Sequence, residues 1–279
     1  MLCGMNEKTI LITGCSSGIG LCVARSLSSR GYRVFATARR TADVEALNKE
    51  GLESLVLDLD DPHSITAAVE EILTRTNGRL DALFNNGAYG QPGAVEDLSR
   101  DVLRAQFETN LFGWHQLTNL VLPVMRSQGH GRIIHNSSVL GFVALRYRGA
   151  YNASKYALEG LADTLRLELA GTDIHVSLIE PGPITSRFRE NAFAAYKRNI
   201  EPDGSAHREK YMQMEQRLTK EGPVVPFTLP PEAVLKKVIH ALESPRPKAR
   251  YYVTFPTYLF AFLKRVLTDR ALDRVLYKV

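Results

Sequence analysis

Tyr151 and Lys155 are the two residues in this sequence whose types and spacing could carry out acid–base chemistry. They belong to the segment Tyr-Asn-Ala-Ser-Lys, and side chains four residues apart on a helix share one face. A phenol has an ordinary pKa of about 10, and bringing it near 7 takes roughly 4 kcal/mol of preference for the phenolate, at about 1.36 kcal/mol per pKa unit. A neighbouring ammonium group favours the negatively charged phenolate and therefore lowers the pKa of the phenol. The pair alone is equally compatible with an exposed helix face. Whether it is catalytic therefore depends on the elements that surround it.

A glycine-rich turn lies near the start of the chain. The apolar run Thr9–Thr13 leads into Gly14-Cys-Ser-Ser-Gly-Ile-Gly20 and then into an apolar-periodic segment over 21–27, a pattern that predicts strand, turn and helix. Glycines in such a turn let the backbone approach a ligand, and the amides at a helix start favour a pyrophosphate. The sequence therefore predicts a phosphate-binding loop here.

Two arginines follow the second predicted strand. That strand covers residues 33–37, and Arg39 and Arg40 come directly after it. In a dinucleotide-binding fold, the position about 20 residues after the glycines contacts the adenosine ribose, with an acid for a free 2′-hydroxyl and Arg for a 2′-phosphate. The arginines favour NADP(H), although a solvated charge pair at a strand end also fits them.

The remaining elements alternate in type along the chain. Strands are predicted over 54–57, 80–84, 132–136, 175–179 and 251–254, with helices over 62–76, 99–126, around Tyr151 and over 231–242. This alternation predicts an α/β fold: a single-domain Rossmann-like, doubly wound parallel sheet of about seven strands with helices on both faces. Ligands of such sheets lie at the carboxyl ends of the strands, so the residues that follow the strands should converge on one edge: Gly14, Arg39, Asp58, Asn86, Ser138 and Pro181.

Asn110 lies inside the long predicted helix over 99–126. A buried Asn in mid-helix competes for backbone hydrogen bonds. The sequence is compatible with a kink or a bound water at this position, and equally with an Asn on the polar face of the helix.

Two segments depart from the alternation of strands and helices. Residues 186–226 are polar, with helical patterns around 192–198 and 208–218, which favours a mobile substrate lid over a disordered linker. Residues 256–279 form a basic amphipathic segment with apolar residues at helical steps. This C-terminal segment fits an interfacial helix in peripheral contact with a membrane, a dimer contact, or a wall of the substrate pocket. The residues that carry the pattern are Leu259, Phe262, Leu263, Val266 and Leu267, flanked by Lys264, Arg265 and Arg270.

Composition limits the function classes. The chain has 279 residues, of which 44% are hydrophobic, enough for a sizeable core. Its net charge of +5 comes from residues 246–279, which carry eight Lys/Arg and two Asp/Glu. Nothing in the sequence resembles a nucleic-acid-binding motif. The cysteines have no spacing typical of a disulfide framework or a metal site, and the first residues lack a basic region followed by an apolar one. We therefore expect a cytoplasmic protein with no metal; the three cysteines are Cys3, Cys15 and Cys22.

These motifs in this order resemble the short-chain dehydrogenase/reductase family over about residues 8–255. Three segments are similar to the branch that contains hydroxysteroid, retinol and aldehyde reductases: Thr-Gly-Cys-Ser-Ser-Gly-Ile-Gly, Phe-Ala-Thr-Ala-Arg and Ala-Ser-Lys-Tyr-Ala-Leu-Glu-Gly. The resemblance implies an enzyme that interconverts a carbonyl and an alcohol with a nicotinamide cofactor, and that assembles as a homo-oligomer, a dimer or tetramer. A non-catalytic, cofactor-sensing regulator of the same fold is the alternative, but such a protein is expected to lose Tyr151, Ser138 or Lys155.

The resemblance also implies a role for each matching residue. Tyr151 would be the general acid of reduction, Ser138 would polarise the carbonyl, and Lys155 would hold the nicotinamide ribose and lower the pKa of Tyr151. Asn110 would anchor the water of a proton relay. The cofactor would contact, from phosphates to nicotinamide, Gly14, Ser16, Ser17, Gly18, Ile19, Gly20, Arg39, Arg40, Asp58, Leu59, Asn86, Gly87, Tyr151, Lys155, Pro181, Gly182, Ile184 and Ser186.

The chain departs from the family pattern at two places. The usual Asn-Asn-Ala-Gly is Asn-Asn-Gly-Ala over 85–88, which moves a methyl group by one residue, and Ser186 stands where a Thr is usual, with Thr185 beside it. The substrate side is predicted to be apolar and lined by Tyr89, Leu140, Leu145 and Tyr147. Arg146 and Arg148, which lie nearby in the sequence, could instead bind an acid.

Overall fold

The computed structural model of the chain describes residues 7–220, 222 and 225–279. Cys3 and three positions near the end of the predicted lid, 221, 223 and 224, lie outside the described residues. Across the part of the chain that is described, no helix has both the length and the apolar character needed to cross a bilayer.

Seven parallel strands of the described chain form one sheet, in the order β3-β2-β1-β4-β5-β6-β7. In this order β2 and β3 lie on one side of β1, and β4 to β7 lie on the other side. The gap between β1 and β4 is therefore the switch point at which such sheets bind ligands. The predicted doubly wound parallel sheet is confirmed. The strands are β1 Thr9–Ile12, β2 Arg33–Ala38, β3 Glu53–Val56, β4 Ala82–Asn85, β5 His130–Asn136, β6 Asp173–Glu180 and β7 Arg250–Tyr252.

Helices cover both faces of this sheet. One apolar core lies between the sheet and α1, α2 and α9, and a second lies between the sheet and α3, α5 and α6. The helices of the described residues are α1 Gly18–Ser29, α2 Thr41–Lys49, α3 Pro62–Arg75, α4 Arg100–Phe107, α5 Gly113–Gln128, α6 Gly149–Glu168, α7 Phe188–Asn199, α8 Arg208–Thr219, α9 Glu232–Glu243, α10 Phe255–Val266 and α11 Asp269–Leu276.

The helix α2 was not predicted from the sequence. It has nine residues, of which only Val44 and Leu47 are buried, so its apolar periodicity is too short to recognise.

The start of α3 has the residues that usually begin a helix. The helix begins at Pro62, and the carboxylate of Asp61 accepts a hydrogen bond of 2.9 Å from the backbone N–H of His63. A proline in the first turn and an aspartate cap are typical of a helix start.

The long predicted helix over 99–126 is interrupted. Between α4 and α5, residues Glu108–Phe112 form a π-helical turn that contains Asn110, and its side chain is fully buried. The irregularity predicted from a buried Asn is therefore present, and the alternative of an Asn on the polar face is wrong. π-helical turns often occur at functional sites.

The predicted lid consists of α7 and α8, which pack against the loop around Ala94. Tyr196 and Tyr211 are fully buried in this contact. Tyr211 donates a hydrogen bond to Asp97, and the backbone N–H of Ala94 donates to the Tyr211 hydroxyl at 2.9 Å. The lid is thus held to the body by buried aromatic rings and by hydrogen bonds.

Candidate active site

Tyr151 and Lys155 lie on one face at the start of α6, and both are buried. The Lys155 ammonium donates a hydrogen bond of 2.8 Å to the backbone carbonyl of Asn136 at the end of β5. It lies 4.2 Å from the ring centroid of Trp114 and 5.7 Å from that of Tyr151. The shared face predicted from the spacing is present, and the carboxyl end of β5 fixes the position of the ammonium group.

Ser138 faces the same phenol from the end of β5. Its hydroxyl oxygen accepts a hydrogen bond of 3.1 Å from the backbone N–H of Leu140, which starts a short 3₁₀ turn over Val139–Gly141. The hydroxyl is also close enough to Tyr151 to act on its pKa by hydrogen bonding. One residue at a strand end and one on a helix therefore present two hydroxyl groups to the same point.

Burial controls the ionisation of both catalytic candidates on α6. It raises the pKa of Tyr151 to about 12, against the opposing effects of the Ser138 hydroxyl and the Arg148 guanidinium. Burial also lowers the pKa of Lys155 to about 7, partly offset by the Glu159 carboxylate. The net pKa of Tyr151 therefore lies above its ordinary value, because desolvation of the phenolate outweighs the lowering by Ser138 and Arg148. The lowering by Lys155 that the sequence predicted is not among these effects.

Asn110 contacts the loop after β4. Its amide nitrogen donates to the backbone carbonyl of Tyr89 at 2.9 Å and to the hydroxyl of Ser154 at 3.3 Å, and its amide oxygen accepts from the N–H of Tyr89 at 3.3 Å. Ser154 lies between Tyr151 and Lys155 in the sequence. The π-helical turn thus connects the helix of the catalytic pair to the segment that contains Tyr89.

The glycine-rich turn has the geometry of a phosphate-binding loop. Gly14 and Gly18 have φ of +71° and +58°, a backbone region that favours glycine. A Cβ on Gly20 would lie 2.2 Å from the carbonyl oxygen of Gly14, so the turn closes tightly against α1. Ser17 precedes α1 without capping it through its side chain. The first amides of a twelve-residue helix are therefore available to an anion.

The loop after β4 is bonded to this turn. The hydroxyl oxygen of Thr13 accepts hydrogen bonds of 2.9 Å from the N–H groups of Asn86 and Gly87. The amide nitrogen of Asn86 donates to the carbonyls of Thr13 and Gly14, at 3.0 and 3.3 Å. A Cβ on Gly14 would lie 2.6 Å from the Cα of Gly87. The order Gly87-Ala88, in place of the usual Ala-Gly, thus puts glycine at the position where the loop after β4 touches the glycine-rich turn.

The two arginines after β2 differ in their surroundings. Arg40 forms a bidentate ion pair with Asp43, at 2.7 and 2.8 Å, in the first turn of α2. Arg39 forms no such pair with any described residue. Both arginines were predicted to contact a 2′-phosphate, and of the two, Arg39 is the one without an ion pair among the described residues.

The other predicted cofactor residues lie at the same edge of the sheet. Ser16 is exposed on the glycine-rich turn, and Ile19 packs onto the core beneath it. Asp58 and the buried Leu59 follow β3, and a Cβ on Gly87 would lie 3.4 Å from Leu59 Cδ1. The segment after β6 contributes Pro181, Gly182, Ile184 and Ser186, and a Cβ on Gly18 would lie 3.0 Å from the Cβ of Ser186.

An apolar cluster surrounds the Tyr151 ring. Of the four predicted pocket residues, Leu140 and Leu145 belong to it, and Tyr89 lies on the neighbouring loop. Tyr147 does not: it packs among the lid residues Tyr196 and Tyr211. The cluster has further members that were not predicted as pocket residues. Val139, Phe142 and Val143 come from the segment of Leu140, whereas Phe188, Phe260 and Leu276 come from distant segments.

Phe260 of α10 and Leu276 of α11 pack against the apolar cluster around Tyr151. The inner side of the C-terminal segment therefore contacts this cluster, as expected if it forms a wall of the substrate pocket. The segment is held there by hydrogen bonds from Lys264 to the carbonyl of Phe142 and from Arg146 to the carbonyl of Tyr277, the latter at 2.9 Å.

A buried ion network lies behind the catalytic face of α6. Arg250 on β7 contacts Glu159 at 3.0 Å, Asp163 at 2.7 Å and Glu180 at 3.1 Å. Ser137 donates a hydrogen bond of 2.5 Å to Glu159. Burial raises the pKa of Glu180 to about 9. This network was not predicted from the sequence, because its members come from four segments that only the fold brings together: the end of β5, α6, β6 and β7.

Comparison with known proteins agrees with this geometry. The short chain dehydrogenase family profile matches residues 8–197. The chain is 43% identical over 270 residues to the uncharacterized oxidoreductase YbbO of Escherichia coli K12, covering 97% of this chain and 94% of that protein. It is 33% identical over 265 residues to human 17-beta-hydroxysteroid dehydrogenase type 1, covering 90% and 78% of the two chains.

A solved structure of a short-chain dehydrogenase from Streptomyces avermitilis superposes with a TM-score of 0.76 at 27% identity, covering 99% of this chain and 95% of that one. The family match spans the glycine-rich turn, the strand ends and the Tyr151 helix. The relatives include the hydroxysteroid dehydrogenase branch expected from the sequence. The chain belongs to the short-chain dehydrogenase/reductase family of oxidoreductases, which use nicotinamide cofactors.

Proposed function

We propose that this protein is an NADP(H)-dependent oxidoreductase that interconverts an aldehyde or ketone and the corresponding alcohol on a lipophilic substrate. One observation carries the proposal: Tyr151, Ser138 and Lys155 meet at the carboxyl edge of the sheet. A regulator that only senses the cofactor has no need of this arrangement.

Each of these groups has a part in the proposed reaction. When bound, NADPH supplies the hydride that adds to the carbonyl carbon. The Tyr151 phenol donates the proton that the carbonyl oxygen takes up, and the Ser138 hydroxyl donates a hydrogen bond to that oxygen. Lys155 would hold the nicotinamide ribose, and its ammonium group lies on the face of α6 from which a proton could be returned to Tyr151. General acid catalysis of this kind typically contributes about 10² to 10⁴ in rate.

NADP(H) is proposed over NAD(H) because Arg39 follows β2 without an ion-pair partner among the described residues. A 2′-phosphate pairs with Arg through charge-assisted hydrogen bonds of roughly 1.5 to 3 kcal/mol each. One such contact is worth about tenfold or more in affinity. The wild-type enzyme should therefore prefer NADPH to NADH by at least about one order of magnitude in kcat/KM.

The matched variants Arg39→Ala and Arg40→Ala test this preference. Arg39→Ala should weaken NADPH binding much more than NADH binding, whereas Arg40→Ala should have the smaller effect because Asp43 already holds Arg40. Ala38→Asp should shift the preference toward NADH by repelling the phosphate. Equal use of both cofactors by the wild-type enzyme at low salt would contradict the assignment.

A lipophilic substrate is proposed from the apolar cluster around Tyr151, which includes Leu140, Leu145 and Phe188. The rings of Phe188 and Tyr151 are 5.3 Å apart. A panel of straight-chain aldehydes, ketones, retinoids and steroids with NADPH tests this part. A kcat/KM that rises with the apolar area of the substrate supports it, and a preference for the smallest, most polar carbonyls contradicts it.

We also infer a peripheral contact between the C-terminal segment and an anionic lipid surface. The outer face of α10 is apolar and exposed at helical steps, with Arg265 beside it and Arg270 and Arg274 following on α11. An apolar stripe with basic neighbours is typical of a helix that lies on anionic lipid. The exposed stripe is Phe255, Tyr258, Leu259, Phe262 and Val266.

Vesicle flotation tests this contact. Wild-type protein should float with anionic vesicles more than with zwitterionic ones, and Phe262→Ser together with Arg265→Ser should abolish the difference. Absence of flotation, with a dimer that the same changes dissociate, would assign the stripe to a second copy.

Two expectations from the sequence stay predictions. The family resemblance implies a homodimer or homotetramer, which light scattering would measure. The expected cytoplasmic location would be measured by cell fractionation.

A further inference from the structure

Arg148 is a charged residue beside the catalytic pair that the proposed reaction does not use. It precedes α6 and lies one helical turn before Tyr151, while Lys155 lies one turn after it. Its guanidinium is partly buried and close enough to the Tyr151 phenol to lower its pKa. Since Lys155 is assigned to the cofactor ribose, Arg148 marks the opposite, substrate side of Tyr151.

No carboxylate of the described chain neutralises Arg148. The charged group that faces it is another cation, Arg217 on the lid helix α8, and Arg189 on α7 lies close to Arg217 in turn. Burial and Arg217 together lower the pKa of Arg148 to about 10. Arg148 is half-buried and Arg217 is exposed, and like charges that lie close together repel each other unless something compensates for them.

The neighbouring Arg146 shows what a structural arginine looks like in the same loop. Its guanidinium donates to the carbonyl of Tyr277 at 2.9 Å and stacks 4.1 Å from the centre of that ring. Arg146 thus fastens the C-terminus to the body, whereas the Arg148 side chain has no such partner among residues 7–220, 222 and 225–279.

The backbone before Arg148 is in an unusual conformation. Tyr147 has φ of +59°, a region that a bulky side chain rarely adopts and that tends to occur at functional sites. The lid holds Tyr147 in place: its ring packs edge-on against His207 and Tyr211, at 5.4 and 6.3 Å between centroids. Because Arg148 follows Tyr147 directly in the chain, the contact of Tyr147 with the lid residues His207 and Tyr211 also helps to position Arg148.

We infer that Arg148, together with Arg189 and Arg217, binds an anionic group of the substrate, a carboxylate or a phosphate, while the apolar cluster around Tyr151 holds its hydrocarbon part. The preferred substrate is thus an amphipathic carbonyl compound with an acidic group within reach of the lid. This inference rests on the proposed carbonyl reduction and specifies its substrate class.

The test compares aldehydes of matched chain length that end in a carboxylate, in its methyl ester or in a phosphate, with the full-length protein and NADPH. At the best chain length, wild-type kcat/KM should favour an anionic end over the ester by about tenfold or more, mainly through KM. The carboxylate and phosphate arms show which anion is preferred. Equal kcat/KM for charged and neutral ends in the wild-type enzyme would overturn the inference while leaving carbonyl reduction intact.

Variants separate the role of Arg148 from a general loss of activity, because the measured quantity is the ratio of kcat/KM for the anionic and ester substrates. Arg148→Ala should bring that ratio close to one, and Arg148→Lys should give an intermediate ratio, since Lys keeps the charge and loses the bidentate geometry. The matched control Arg146→Ala should keep the wild-type ratio. A wild-type ratio in both Arg148 variants would overturn the inference.

A binding measurement keeps the anion site testable without turnover. Calorimetry with the alkanoic acid of matching length, and with the corresponding alkanol as control, should detect the acid alone, with at least about tenfold weaker binding to Arg148→Ala and an intermediate loss in Arg148→Lys. Binding of acid and alkanol with equal affinity would refute the anion site. Absence of turnover for every aldehyde, despite acid binding, would count against the proposed reaction and not against the site.

Discussion

Arg250 holds three carboxyl groups in place behind the active site, and its replacement by Met should destabilise the protein strongly. Its guanidinium lies within 3.1 Å of Glu159, Asp163 and Glu180. Glu180 is fully buried, and Glu159 is nearly so. In Arg250→Met the buried carboxyl groups of Glu159 and Glu180 lose their shared cation, while Asp163 stays partly exposed to water.

The size of the effect follows from the burial of this network. Removing one partner of a buried ion pair typically costs about 3–5 kcal/mol. At an unfolding entropy of roughly 2 cal/mol/K per residue, a chain of this length should lose about 5 to 9 °C in Tm. Burial raises the pKa of both Glu159 and Glu180, so one of them can take up a proton when Arg250 is removed. Because this neutralises one buried charge, we expect a loss in Tm near the lower end of that range of about 5 to 9 °C at neutral pH.

The assay is thermal unfolding followed by circular dichroism at neutral pH. The matched control is Arg25→Met, which removes an equally short bidentate pair with Glu50 on the surface. Surface ion pairs contribute little to stability, so the control should shift Tm by a small fraction of the Arg250→Met shift. Equal shifts in the two variants would refute the reasoning, as would a failure of Glu180→Met to restore part of the stability of Arg250→Met.

Two further predictions concern the cofactor edge and the core beside it. Gly20→Ala places a Cβ 2.2 Å from the carbonyl oxygen of Gly14, so NADPH should bind at least about tenfold more weakly in a fluorescence titration; an unchanged Kd would contradict the assigned loop. Burial lowers the pKa of His135 to about 3, so the unfolded chain takes up a proton there that the folded chain does not, and this contribution lowers stability as pH falls from about 6.5 toward 3. His135→Asn should flatten the pH dependence of Tm across that window, and an unaltered slope would show that His135 is not kept neutral.

The sheet and the catalytic pair could be predicted because their signals are local. Apolar runs that end in Gly14 or Ser138 mark the strand ends, and the spacing of Tyr151 and Lys155 is a property of one helix. A parallel sheet then places every strand end at one edge, whatever the loops do. The helix α2 was not predicted, since two buried residues give too little periodicity.

The C-terminal part of the apolar cluster and the ion network could not be predicted, because they join residues far apart in the chain. Phe260 and Leu276 reach Tyr151 only after the C-terminal segment folds back over the sheet edge. Arg40 looked equivalent to Arg39 until the first turn of α2 placed Asp43 beside it. The pKa of Tyr151 depends on burial, which spacing along a helix does not reveal.

The most direct test of the central claim is the turnover of Tyr151→Phe with NADPH and an apolar aldehyde, measured alongside NADPH binding. The change removes the phenol hydroxyl and little volume, so folding and NADPH affinity should stay close to the wild-type values. The account predicts that kcat falls by about 10² to 10⁴, the typical contribution of a general acid. Near-normal turnover in a folded Tyr151→Phe protein that still binds NADPH would contradict the assignment of Tyr151 as the proton donor.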